Sequence, residues 1–227
     1  MWVAVLVVAM LLVAGCGDSS DGGSGLTTST TSPSDQGDLG DATEAAAGEA
    51  ETVIGAPTPI TPASANAVAG GLPHCPDDGL TINQSTRARA EKAATCIVNK
   101  VRRRRARRAL KSNSKLYSAA KKHATDMVQT QYFSHVSKSG TTVVPRIKAA
   151  GYLTNASVWS VGENLAWGSG SFSTPASIVQ AWLNSPGHKR NLLNRAYREA
   201  GLAIAVGAPV PAAGDAGTYV QEFGKRT

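Results

Sequence analysis

The stretch Val161–Gly168 reads VGENLAWG. It has the composition of a strand entering a core, apart from one carboxylate, Glu163, set among Val, Leu, Ala and Trp. An isolated carboxylate out of water costs several kcal/mol, so Glu163 must be paired, hydrogen-bonded or protonated.

Few side chains can meet that need. From Arg87 onward the chain has six acids, and Glu163 reads as the one placed within an apolar strand. There are four histidines. His74 lies in an irregular lead-in, and His123 sits on an apolar helical stripe, where a core position is the simpler assignment. His135 in YFSH and His188 in NSPGH lie in turn-rich sequence, where a side chain can point into a cleft. Two imidazoles and a carboxylate can hold a divalent metal such as zinc, run acid/base chemistry near neutral pH, or satisfy one another as a structural polar cluster. The three residues lie far apart in sequence, with no His-x-x-x-His, so spacing alone does not decide among these. Ser134 and Ser185 are the nearest hydroxyls, and neither lies in a Gly-x-Ser-x-Gly elbow. Asp126 follows the second helix's stripe and reads as a solvated face residue.

Around this stretch the periodicity is helical, then mixed. From Arg87, Ala94, Ile97, Val98 and Val101 recur at helical spacing. The run Arg102–Arg108 should end the packed part of that helix, its arginines solvated or snorkelling. A second helix begins with Ser114 as N-cap, and a third covers about Val144–Ala150. Trp159–Trp167 is the first strand. Thr174-Pro175 caps a helix burying Ile178, Val179 and Trp182. One further turn covers Asn191–Asn194. Ala200–Gly207 and Thr218–Phe223 have strand composition and can form an antiparallel hairpin. Helices first, then strands mixed with a helix, give an α+β domain with helices over a small antiparallel sheet.

Charge divides the chain. All 23 basic residues lie from Arg87 onward, whereas ten of the 16 acids precede it. Residues 1–16 are an apolar run too short to span a membrane comfortably and fit an export signal. Val13-Ala14-Gly15-Cys16 resembles the lipobox of bacterial lipoproteins, which implies lipidation of Cys16. No Lys or Arg precedes the run, so a misplaced start, an uncleaved anchor or a plain signal peptide are the alternatives. Residues 17–74 are Gly, Ser, Thr, Pro, Ala and acid, too poor in apolar surface to offset ordering entropy. They are expected to form a disordered acidic tether reaching about 40 Å. In an exported chain Cys75 and Cys96 suggest a disulfide, with two buried thiols as the alternative. Export argues against nucleic acid as the partner of Arg102–Arg108. Anionic envelope polymers or phospholipid head groups suit the run better.

Tyr132–His135 (YFSH), Gly162–Gly168 (GENLAWG) and the W-x-N-S-P-G-H-x-x-N of Trp182–Asn191 together resemble the CAP superfamily, or SCP domain, in its bacterial secreted branch. The resemblance implies that 75–227 is an α-β-α sandwich whose cleft is lined by His135, Glu163 and His188. Those three are the candidate catalytic residues, and His135 and His188 the candidate metal ligands. Asn164, Ser185 and Asn191 would support them. Eukaryotic members often carry a second glutamate soon after the helix tryptophan. Here Leu183, Asn184 and Ser185 follow Trp182, which counts against a tight site for zinc or another divalent metal. The expected protein is an extracytoplasmic monomer, lipid-anchored or secreted, whose cleft binds a lipid, glycan or peptide. The alternative is a metal-assisted or acid/base hydrolase using the same three residues.

Overall fold

A computed structural model describes residues 51–54, 58–59, 71–211 and 215–227. Cys16 and most of the 17–74 tether lie outside the described residues. In chain order the elements are β1 (Glu51–Ile54), β2 (Thr58–Pro59), α1 (Arg87–Arg104), β3 (Lys111–Ser112), α2 (Ser114–Thr130), α3 (Val143–Ala149), β4 (Trp159–Ser169), α4 (Pro175–Asn184), α5 (Pro186–Leu193), β5 (Glu199–Val206) and β6 (Ala216–Arg226). The strands form one sheet in the order β1-β4-β6-β5-β3, with β2 also on β4. β6 pairs antiparallel with both β4 and β5, and the short strands pair in parallel at the two margins. Two pieces of the segment expected to be disordered therefore pair with β4, with Ile54 opposite Glu163.

Both faces of the central strands are covered, which explains their near-continuous apolar composition. On one face Val161, Leu165, Ala203 and Val220 meet Leu116, Ala120, Ala124 and Met127 of α2 and Val143 and Ile147 of α3. On the other, Tyr219, Phe223 and Ala166 meet Ile97, Val98 and Val101 of α1 and Ile178, Val179 and Trp182 of α4. Alternate residues of β6 serve opposite faces. The result is the expected α-β-α sandwich. Trp182 is fully buried and donates Nε1–H to the Leu165 carbonyl at 3.1 Å, fixing α4 to β4.

Local chemistry shifts several boundaries. Asn113, one residue before Ser114, caps α2, its side-chain oxygen accepting from Lys115 N and Leu116 N. The Thr174 side chain caps α4 ahead of Pro175. Pro186 starts a full helix rather than only ending α4, so α5 runs from Pro186 and carries His188 in its first turn.

The arginine run corrects the sequence reading most. Arg102 is fully buried, not solvated. It donates to the carbonyls of Arg108, Leu192 and Asn194 at 2.6–3.1 Å. A guanidinium can saturate several carbonyls at once, and the chain ends converging here supply them. Cys75 and Cys96 form the expected disulfide, with Cα atoms 6.2 Å apart. It ties the lead-in to α1 and contributes about 3 kcal/mol in the chain-entropy account.

Candidate functional site

Glu163 is buried in the middle of β4, facing α2 and α3. His135, from the loop after α2, places Nδ1 2.6 Å from Glu163 Oε1. Arg146 of α3 donates Nη2–H to Oε2 at 2.7 Å, and its Nη1 donates to the carbonyls of His135 (2.9 Å) and Thr141 (2.8 Å). One guanidinium thus holds both the carboxylate and the loop that carries its imidazole partner. His123, on α2, faces the Ser134 carbonyl through Nε2 at 3.0 Å, with the same nitrogen 3.9 Å from Glu163 Oε2.

Glu222 lies directly across from Glu163 in the β4–β6 pair. Like charges opposite one another in a sheet repel, and among the described residues neither Glu222 oxygen has a partner at hydrogen-bonding geometry. The contact between the two carboxyls is therefore electrostatic and not a formed hydrogen bond. Burial, then the Glu163 charge, push the Glu222 carboxyl well above its ordinary range, so it keeps its proton at a pH where a free carboxyl has lost it. Burial alone would also raise Glu163, but the His135 hydrogen bond and the Arg146 charge outweigh it and hold Glu163 well below the usual range. One carboxylate and one carboxylic acid thus share the hub.

α5 is stapled to this strand. The Asn191 amide donates to the Glu163 carbonyl (3.0 Å) and to Asn164 Oδ1 (2.9 Å), while Asn164 donates to the His188 carbonyl at 3.1 Å. Asn164 and Asn191 thereby join the GEN and H-x-x-N segments through the backbone. The Ser185 side chain makes no capping bond to α5. Neither His188 nitrogen has a hydrogen-bond partner among the described residues. Burial, then the nearby His135, push its imidazole down to about 4, and burial takes His123 to about 4 as well.

The structure joins His135 to Glu163, whereas the His188 ring bonds to neither. An open cleft at Glu163 does not form: Glu163 is 0 %, His188 1 % and His135 7 % exposed. The neighbouring cavity, of about 810 Å³ between α2 and α3, is bordered instead by His123, Arg146, Lys121, Lys122, Asp126 and Thr141. Asp126 is not a free face residue, since the Tyr132 hydroxyl donates to it.

His135, Glu163 and His188 do not fit a divalent metal as they stand. Each Glu163 oxygen already accepts a bond, and the Arg146 cation beside them disfavours a second positive charge. Among the described residues no group of three His, Cys, Asp or Glu side chains is arranged to hold a cation.

Sequence reasoning missed Arg146, Glu222 and the involvement of His123. Glu222 carries the same signal as Glu163, an acid among strand residues in TYVQEFG. Arg146 carries none, being a charge on a short helix whose orientation only the fold sets.

Two sheet-covering helix layers and a buried Glu–His–Arg hub bound to the H-x-x-N helix define a CAP-type sandwich. Residues 97–223 match the profile of the Cysteine-rich secretory protein family (CAP), and the chain belongs to that family. It is 30% identical over 112 residues to "Uncharacterized protein YkwD" of Bacillus subtilis (strain 168), covering 49% of this chain and 41% of that one. It is 32% identical over 104 residues to "Uncharacterized membrane protein YlbC" of the same organism, covering 46% of this chain and 25% of that protein. The match thus spans less than half the length of either relative. Among solved structures it resembles an outer surface protein from Borrelia burgdorferi, with a TM-score of 0.52 and 25% identity, covering 66% of this chain and 99% of that one.

Proposed function

We propose that this protein is an extracytoplasmic CAP-family binding domain, displayed from a membrane by a lipidated Cys16 and the 17–74 tether. Its ligand is a glycan or peptide taken at the polar cavity between α2 and α3, not a substrate cleaved at Glu163. The observation that carries this reading is that both oxygens of Glu163 are bound by buried partners, His135 and Arg146. A carboxylate held low in this way and shut off from solvent is a weak base. The hub's role is to fix the 131–142 loop and α3, which border the cavity. Lys121, Lys122, Arg146, His123 and several hydroxyls share that wall with Ala119, Pro145, Ala149 and Ala150, a mixed surface whose cations and hydroxyls can hold the polar groups of a glycan or peptide. The surface location named for the Borrelia relative and the membrane location named for the Bacillus one support display outside the cytoplasm.

The hydrolase reading rests on one observation, the two unpartnered nitrogens of buried His188. Calorimetric titration with zinc separates the two. Binding weaker than micromolar is expected. Submicromolar binding that disappears in His135→Ala/His188→Ala would move the assignment to metal-assisted hydrolysis. For the anchor, the mature protein is expected to carry an acyl mass shift on Cys16, and Cys16→Ser to leave the membrane fraction. An unmodified, soluble wild type would remove lipidation from the proposal.

A further inference from the structure

The polar hub gives no role to the arginine run, and the fold gathers it into a definite place. α1 ends at Arg104, Ala106 turns the chain with φ +52°, and Arg107 N donates back to the Arg102 carbonyl at 2.9 Å. Buried Arg102 reaches the carbonyls of Leu192 and Asn194, drawing the segment after α5 against this turn. Arg107 bonds the Leu193 carbonyl at 3.1 Å, and Arg198 bonds those of Ala196 (3.0 Å) and Tyr197 (3.1 Å). A hollow of about 290 Å³ results, lined by Ala106, Arg107, Arg108, Arg195 and Arg198.

Four arginines from two distant segments therefore border one small space with no acid among its lining residues. Among the described residues none of these arginines, nor Arg102 beneath them, has a carboxylate partner. Arg107 and Arg198 are fixed through backbone carbonyls, which orders part of the site before any ligand arrives. Arg108 and Arg195 are exposed, and neither side chain bonds to a described residue. The crowding is felt at Arg102, which burial, then Arg107 and Arg198, bring down to about 10. Such a cationic hollow lacks only an anion, and the planar fork of arginine matches phosphoryl oxygens in bidentate fashion.

We propose that the hollow between the Arg102–Arg108 turn and Arg195–Arg198 is a phosphate-binding site. It lies apart from the Glu163 hub and stands whether or not the cavity reading above holds. Its phosphate arrives either free in solution or as the head group of an anionic phospholipid, and the experiment separates the two.

The full chain carrying Cys16→Ser, so that no acyl group contributes, is tested with two probes. The first is sodium phosphate against sodium chloride at matched ionic strength, read by thermal unfolding. The second is flotation with phosphatidylglycerol vesicles against phosphatidylcholine vesicles. If the site binds free phosphate with a dissociation constant of about 1 mM, about 10 mM phosphate raises the melting temperature by about 3 °C over chloride. If it takes the head group, phosphatidylglycerol binding exceeds phosphatidylcholine binding at least tenfold.

Two double variants remove the same charge. Arg108→Ala/Arg195→Ala is expected to abolish whichever effect the wild type shows. Arg103→Ala/Arg105→Ala, taking exposed arginines outside the hollow, should leave it. A response to phosphate alone identifies a soluble ligand, and a response to vesicles alone identifies the head group. The site is overturned if neither probe is preferred over its control, or if both double variants weaken binding equally, which would mean diffuse charge.

Discussion

Arg146→Ala is expected to lower stability at pH 7 by about 3–5 kcal/mol, the range for removing one partner of a buried ion pair. The guanidinium is the only arginine or lysine group bonded to the Glu163 carboxylate among the described residues, and it also ties the carbonyls of His135 and Thr141. Without it the carboxylate stays buried beside Glu222, and the loop presenting His135 loses two anchors. Urea unfolding should show a lower midpoint at an unchanged slope. Adding Glu163→Gln to the Arg146→Ala background should recover part of the loss, because the stranded charge goes with it. The loop anchors would stay missing, so recovery should be incomplete. A loss below about 1 kcal/mol in the single variant would show that Glu163 does not depend on Arg146.

The second large effect is a pH dependence whose slope Glu222 controls. His123 and His188 titrate at 6.5 in the unfolded chain and are pushed down to about 4 when folded. Unfolding below pH 6.5 therefore takes up two protons, and stability falls as pH drops toward 4. Glu222 opposes this. Its folded value is raised above 4.5, so its contribution is full below 4.5 and is lost as pH rises.

Between about pH 4.5 and 6.5 two protons are taken up and one is released, so stability should change by about 1.4 kcal/mol per pH unit. Glu222→Gln removes the opposing proton and should double that slope to about 2.7 kcal/mol per unit. By pH 6.5 the variant should be the more stable by about 3 kcal/mol, the slope difference carried over about two units, since it takes up no proton on folding. That gain should vanish near pH 4. Below 4.5 Glu163, held low when folded, adds a further loss as pH falls through its folded value. Urea unfolding from pH 4 to 8 tests this, and equal slopes for variant and wild type would overturn the assignment of Glu222 as a held acid.

The helices and strands were legible because their causes are local and periodic, whereas the sandwich that joins them came from the family resemblance. Ala94, Ile97, Val98 and Val101 mark one helix face, and the two-sided burial of β4 and β6 leaves unbroken apolar runs. Glu163 stood out because an acid in such a run demands a partner. The same rule applied to Glu222 would have found the second carboxyl, while His135 was placed beside Glu163 by the family resemblance and not by its spacing. Arg146 and Arg102 were not legible. Each is buried by polar partners that folding delivers from elsewhere, Glu163 in one case and the Leu192 and Asn194 carbonyls in the other, and no spacing within either helix encodes that meeting. His123 was legible as buried, but its carboxylate neighbour depends on how α2 crosses β4.

The pairing of β1 with β4 also has a mechanical side. Should Cys16 be anchored as proposed, tension from it would reach Glu51 before any other described residue. The four-residue strand can then unzip from its Ser160 end one residue at a time, while the long β4–β6 ladder behind it stays whole. A tug on the membrane end would slacken by lengthening the leash, bare the flank of β4 beside Ile54's partner Glu163, and leave the domain folded.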